Sequence, residues 1–348
     1  MAYRVLLTGG NGFIGSHILS ELVQKGHQVC CTVRTPEKGE RILNDFKNYN
    51  SQISLAIVPD ITTPGAFDLA VNDEFDIVFH AASPFVYGTV ENNREFLDPA
   101  IKGTTEILRS VKQHAPSVKR VIFTSSCAAV IDYDRLKSGD LYNEDNWNPI
   151  SWEEALHGDP SKAYRASKKF AEIAAWEFIK NEKPHFDLVT LCPPATLGPL
   201  KHSIHSIKDL NESNSRIWRL SCQSSKSTPM PYIPVHTYVD VRDLARVQIQ
   251  AMLVPEAANH RFIVCARQFG FQDICDILRS NFPDLDPRVP LGNPGSSSLP
   301  AGAYSTDNSK VRRILGVEFR DLKETINDLA KQFLEIESYE KSERTGFD

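Results

Sequence analysis

The sequence predicts an α/β fold: a doubly wound parallel sheet completed by a smaller C-terminal α/β domain. Three observations carry this. Short apolar runs rich in Val, Ile and Phe alternate with helix-compatible stretches from residue 3 to residue 192. A glycine-rich turn joins the first apolar run directly to the first helical one. After Leu191 the alternation stops and a polar, Ser- and Lys-rich stretch begins. Parallel strands need a crossover helix between them, and that is what the alternation supplies.

Taken in order, Tyr-Arg-Val-Leu-Leu-Thr at 3–8 is a buried strand. Gly9, Gly10, Asn11, Gly12, Phe13, Ile14 and Gly15 follow, with Gly9, Gly12 and Gly15 spaced by three. A helix over 12–25 starts within this turn. Glycines let the chain turn sharply and let a pyrophosphate approach, and the free N–H groups of a helix start hold its charge. The turn therefore points to a dinucleotide; no Gly-Lys-Ser/Thr follows, so it is not a P-loop. Further strands are expected at 28–33, 53–58, 76–80, 119–124 and 186–192, and helices at 36–47, 94–114 and 161–181. This is the Rossmann order, with the ligand at the carboxyl ends of the strands. Cys-Pro-Pro-Ala-Thr-Leu-Gly-Pro at 192–199 ends it. Structure resumes at 231–254, with a helix from Asp240 to Leu253. Residues 286–305, rich in Pro, Gly and Ser, read as a loop, and a last amphipathic helix is expected at about 321–336. The expected division is a dinucleotide-binding domain at 1–192, to which 231–254 returns, and an interrupted substrate domain at 193–348.

Bulk properties narrow the function. The 348 residues carry a net charge of −5, which argues against a general nucleic-acid or anionic-membrane binder. No apolar stretch is long enough to span a bilayer, and a first strand starting at residue 3 leaves no signal peptide to expect. The seven cysteines form no CxxC pair and no metal-spaced set, so reduced thiols in the cytoplasm and no metal site are expected. Neither HExxH nor a GxSxG elbow occurs.

Three further segments carry chemistry. The second strand ends in Val33-Arg34, with Lys38 four residues on and no acid at the strand end. Cations there suit the 2′-phosphate of NADP, whereas NAD favours an acid on the ribose hydroxyl. Tyr164 and Lys168 are spaced i, i+4 at the start of a strong helix, which puts both on one face. An ammonium beside a phenol moves its pKa from about 10 towards neutrality, and so makes a proton donor. A second pair, Tyr133 and Lys137, lies among Asp, Ser and Gly in a loop, where that spacing has no helical meaning. The strand 119–124 runs into Ser125, Ser126 and Cys127 at the expected ligand edge, and Ser126 suits a carbonyl oxygen beside Tyr164.

Together the turn at 8–15, Ser126 and the Tyr164/Lys168 pair resemble the extended short-chain dehydrogenase/reductase family. The likeness is closer to the branch of dihydroflavonol reductases and fungal methylglyoxal (carbonyl) reductases. It is carried by Phe-His-Ala-Ala-Ser-Pro-Phe at 79–85, Val-Pro-Asp-Ile at 58–61, Asn-Glu-Asp-Asn-Trp-Asn-Pro at 143–149, Tyr-Val-Asp-Val-Arg-Asp at 238–243 and Leu-Lys-Glu-Thr-Ile at 322–326. The resemblance implies that Gly9 to Ile14 hold pyrophosphate, and that Arg34 and Lys38 hold the 2′-phosphate. Asp60 and Ile61 would flank adenine, and Ala81 and Ser213 would also touch the cofactor. Lys168 would bond the nicotinamide ribose, and Pro193 to Thr196 would border the nicotinamide. Phe85, Ser126, Cys127 and Ala195 would line the substrate pocket. Cys127 and Ala195 depart from the larger residues common in the fungal branch, which implies a roomier pocket.

The implied activity is reduction of ketones or aldehydes by NADPH, with Tyr164 as proton donor, Ser126 polarising the carbonyl and Lys168 tuning the tyrosine. Rival readings are a hydroxysteroid-type or cinnamoyl-CoA-type enzyme, a sugar-nucleotide epimerase, or a non-catalytic NADP-binding regulator. The partner expected is a small carbonyl compound. The sequence leaves monomer and homodimer open.

Overall fold

The computed structural model describes residues 2–71, 74–82, 92–136 and 138–345. Val5, Leu6 and Leu7 have no exposed surface, as strands covered by helices on both faces require. They belong to β1 (Arg4–Thr8), which is followed by α1 (Phe13–Gln24), β2 (Gln28–Val33), α2 (Pro36–Asp45), β3 (Ile53–Ile57) and β4 (Ile77–His80). Then come α3 (Arg94–His114), β5 (Arg120–Thr124), β6 (Leu141–Tyr142), α4 (Trp152–His157), α5 (Pro160–Glu182) and β7 (Asp187–Cys192). The remainder comprises β8 (Ala195–Leu197), α6 (Glu212–Ile217), β9 (Thr237–Asp240), α7 (Val241–Leu253), β10 (Arg261–Ile263), β11 (Arg267–Gln268), α8 (Phe271–Asn281), β12 (Ser305–Thr306), α9 (Ser309–Leu315) and α10 (Leu322–Thr345).

Seven strands form the main sheet in the order β10-β7-β5-β4-β1-β2-β3, and every pairing is parallel. The expected doubly wound sheet is present, with six strands where the sequence put them. The seventh, β10, has three residues, too few to show a period. A second sheet, β11-β9-β8, and a two-stranded one, β12-β6, also went unread for the same reason. Inside the polar stretch before residue 228 the chain forms α6 and a π-helical turn at 218–222. The last helix begins where expected but runs on to Thr345.

Helix starts position the ligand edge. Gly12 caps α1 and receives a backbone bond from Ser16 N at 2.9 Å. The Asp159 side chain caps α5, accepting from Ser161 N at 2.8 Å and Lys162 N at 3.1 Å, with Pro160 at the first helical position. Asp240 caps α7 in the same way, accepting from Arg242 N at 2.8 Å. α7 lies against α1, and α5 against α3. A separate buried cluster joins Trp218, Tyr238, Phe269, Phe271 and Phe333 from the later segments.

Candidate active site

β1, β4, β5 and β7 run parallel, so the residues after each of them meet at one sheet edge. Those residues are Gly9, Ala81, Ser125 with Ser126 next to it, and Pro193. Two cavities open among the segments that follow the strands.

The first, of about 280 Å³, is bordered by Gly9, Asn11, Gly12, Arg34, Lys38, Ile61 and Ala81. Gly9 has φ +74°, and a Cβ there would lie 2.8 Å from Ala82 N; a Cβ on Gly15 would lie 2.0 Å from Gly9 O. The turn therefore needs both glycines to fold this tightly. The cradle, the α1 N-terminus and two cations at one end together fit a dinucleotide with a phosphate on its ribose. Val58, Thr32, Val33 and Ala82 complete the wall, and the sequence reading missed them as cavity residues. Gly10 borders a small recess with Asn11, Lys38, Arg41 and His202. Phe13 meets the His17 ring edge-on at 6.0 Å, and Ile14 packs on the main core. Asp60 is exposed and accepts from Thr62 N at 2.9 Å and Thr62 Oγ1 at 2.8 Å. These bonds hold its carboxyl below the ordinary value.

The second cavity, of about 410 Å³, is bordered by Ser126, Tyr164, Cys127, Ala195 and Ser213. Ser126 caps the turn Cys127–Ala129, accepting from Ala128 N at 3.1 Å, and its hydroxyl exerts a lowering influence on the Tyr164 phenol. Lys168 Nζ lies 5.8 Å from the centroid of the Tyr164 ring. The lysine was expected to lower the phenol. Instead burial holds Tyr164 above its ordinary value, against the lowering effects of the Ser126 hydroxyl and the Arg216 charge. Burial also lowers Lys168, to about 8. Ser213, expected at the phosphates, borders this cavity. Pro193 O accepts from Cys127 N at 2.9 Å, which ties the two strand ends together. Thr196 is buried in β8.

Of the two small residues, Ala195 is half-buried, whereas Cys127 is 1% exposed. The Cys127 thiol donates to Cys192 O at 3.1 Å within a closed cluster that includes Ile263, Cys265 and Tyr304. Phe85 lies outside the described residues, as does Lys137. Tyr133 sits in a turn yet borders this cavity, together with Arg165, Glu212, Arg216, Tyr232 and Tyr304. Glu212 and Arg216 are spaced i, i+4 on α6 and Arg165 is the neighbour of Tyr164, but no spacing links these segments to one another.

Among the described residues, no group of His, Cys, Asp or Glu could hold a metal ion, and no helix is long and apolar enough to cross a membrane.

The model of the NAD dependent epimerase/dehydratase family matches residues 5–265. The ketoreductase azaE of Aspergillus niger is 42% identical over 338 residues, 96% of this chain and 98% of that protein. The NADPH-dependent methylglyoxal reductase GRE2 of Saccharomyces cerevisiae is 39% identical over 343 residues, again 96% of this chain and 98% of that protein. The crystal structure of yeast methylglyoxal/isovaleraldehyde reductase Gre2 complexed with NADPH superposes with a TM-score of 0.91 at 38% identity, covering 97% of this chain and 99% of that one. With matches of this extent in both sequence and fold, the chain belongs to the NAD dependent epimerase/dehydratase family, the extended short-chain dehydrogenase/reductases.

Proposed function

We propose that the chain is an NADPH-dependent reductase that converts ketones and aldehydes to alcohols. One observation carries the reading: Ser126 and Tyr164 border the same cavity, with Lys168 one turn beyond Tyr164 on α5. The relatives named above at 42% and 39% identity are reductases by name, which favours carbonyl reduction over epimerisation.

NADPH, when bound, supplies a hydride to the carbonyl carbon. Gly9, Gly10, Asn11, Gly12, Phe13, Ile14 and Gly15 form its pyrophosphate cradle, and Arg34 and Lys38 bind the 2′-phosphate. Ile61, Asp60 and Ala81 border the adenine half, and Pro193, Thr196 and Lys168 the nicotinamide half. Ser126 donates to the carbonyl oxygen and orients it. Tyr164 gives that oxygen its proton; a phenol held above its ordinary value is protonated at neutral pH, the state a general acid needs. Ala195 leaves room for a bulky group on the ketone.

The domain boundary belongs to the same reading: residues 1–192 bind the cofactor, 193–348 the substrate, and 231–254 returns to the first unit. The packing of α7 on α1 supports the return. All seven cysteines are free thiols, in keeping with a reducing compartment, and we assign the enzyme to the cytoplasm.

The test is NADPH oxidation with a panel of aldehydes, aryl ketones and dicarbonyls. Turnover is expected with NADPH in preference to NADH, and its loss in Tyr164→Phe. NADPH binding without turnover of any carbonyl would favour the regulator instead.

A further inference from the structure

Three charged side chains border the cavity of Ser126 and Tyr164: Arg165, Arg216 and Glu212. Arg165 follows Tyr164 on α5, and its guanidinium carbon lies 4.2 Å from the centroid of the Tyr133 ring. That ring is itself cavity wall, so the guanidinium is stacked in place rather than loose in solvent. It donates to Ser161 Oγ at 2.8 Å. Arg216, on α6, donates to Glu212 Oε1 at 3.0 Å. An arginine has about five N–H donors, and each of these two spends one of them on a described neighbour. The charges do not cancel. Among the described wall residues Glu212 is the single carboxylate beside two guanidinium groups, and it also accepts from Arg219, outside the cavity. The cavity wall thus carries two positive charges against one negative, although Arg165 also borders an adjoining recess with Asp132, Asp134 and Glu154. Among the described residues the rest of the wall is hydroxyl, thiol, aromatic or aliphatic, with no second carboxylate.

We infer that the substrates this cavity prefers are ketones bearing a carboxylate, which Arg165 and Arg216 bind while the carbonyl meets Ser126 and Tyr164. This rests on the reductase reading above and names its substrate class. The reaction is balanced by one NADPH and one proton. The carbonyl carbon gains the hydride, its oxygen gains the proton, and the carboxylate leaves unchanged as part of a hydroxy acid. An ester of the same acid keeps the shape and loses the charge, so it forfeits the charge-assisted bonds. If the two arginines were merely solvated cations at the rim, acid and ester would be reduced alike.

The experiment uses the full chain with NADPH and three acids, acetoacetate, levulinate and para-acetylbenzoate, each beside its methyl ester. The readout is the ratio of kcat/KM for acid over ester. At least one pair is expected to favour the acid, and Arg165→Gln and Arg216→Gln are each expected to lower that ratio about tenfold or more. Arg219→Gln, which removes an equal charge outside the cavity, should leave the ratio as it was. Equal ratios in the unmutated enzyme and both cavity variants overturn the assignment while leaving the reductase reading intact. An equal fall in Arg219→Gln overturns it too, because the effect would then be general charge rather than contact. If no ketone oxidises NADPH, the reductase reading fails. Calorimetric titration of the same acids and esters into the NADPH-loaded Tyr164→Phe protein then decides the carboxylate preference by itself: tighter acid binding supports it, and equal binding overturns it.

Discussion

Glu172 and Arg261 form a buried ion pair behind the candidate catalytic residues, Nε to Oε1 2.8 Å, with side chains 0% and 7% exposed. The Glu172 carboxylate also accepts from Ser125 Oγ at 2.6 Å and Thr190 Oγ1 at 2.7 Å. Arg261 spends its other donors on the carbonyls of Asn146 at 2.6 Å and Glu144 at 3.0 Å. One network thus joins β5, α5, β7 and β10 immediately behind Ser126. Removing one partner leaves a buried charge uncompensated. Glu172→Ala is expected to cost about 3–5 kcal/mol of unfolding free energy, read from urea denaturation. A cost below about 1 kcal/mol would show that the pair is no better than a surface one.

Cofactor choice is tested at Arg34. It borders the glycine cradle with Lys38 and no acid. Loss of a charge-assisted phosphate contact costs about 1.5–3 kcal/mol. Arg34→Ala should therefore weaken NADPH binding by about ten- to a hundredfold and NADH binding far less. Equal affinities for the two cofactors in the unmutated protein would sink this.

Tyr164 and Tyr133 both border the substrate cavity, and they separate by hydroxyl chemistry. Tyr164→Phe removes the proton donor and should lower kcat about 10²–10⁴-fold, with NADPH affinity within a few fold. Tyr133→Phe keeps the ring on which Arg165 rests and should cost far less. The reverse ranking would move the acid to Tyr133.

Stability should fall in mild acid. Burial lowers His17 to about 4 and His80 to about 3, from 6.5. Both are neutral in the fold, so between 6.5 and those values the unfolded chain binds more protons. Stability is thus whole above 6.5 and is lost as the pH drops, by up to about 1.4 kcal/mol per pH unit for each histidine. Urea midpoints measured at about pH 7 and about pH 5 should differ accordingly, and His80→Asn should flatten the slope. Identical midpoints for the unmutated chain at both values would contradict the assignment.

The two small residues of the substrate cavity predict different failures. Ala195 is half-buried and borders the open space. Ala195→Phe should lower kcat/KM for bulky aryl ketones about tenfold relative to methylglyoxal, by filling that space. Cys127 also borders the cavity but is only 1% exposed, so Cys127→Tyr should instead overpack its cluster and cost about 1–3 kcal/mol of stability. An unchanged substrate ratio in Ala195→Phe would remove this residue from the pocket wall.

The sequence by itself determined the order of strands and helices, the glycine turn and the Tyr164/Lys168 face of α5. Those features are local: burial on both faces gives continuous apolar runs, a tight turn needs glycine, and a helix repeats every few residues. Strands of two or three residues such as β8, β10 and β11 have no room for a period, and only pairing with distant partners makes them strands. The tertiary structure alone brought Arg165, Arg216, Glu212, Tyr133 and Tyr304 to one cavity, from segments far apart in the chain. It also turned the Cys127 thiol towards Cys192 and raised the Tyr164 phenol. Burial sums over every neighbour in space, and a spacing of four along a helix records just one of them.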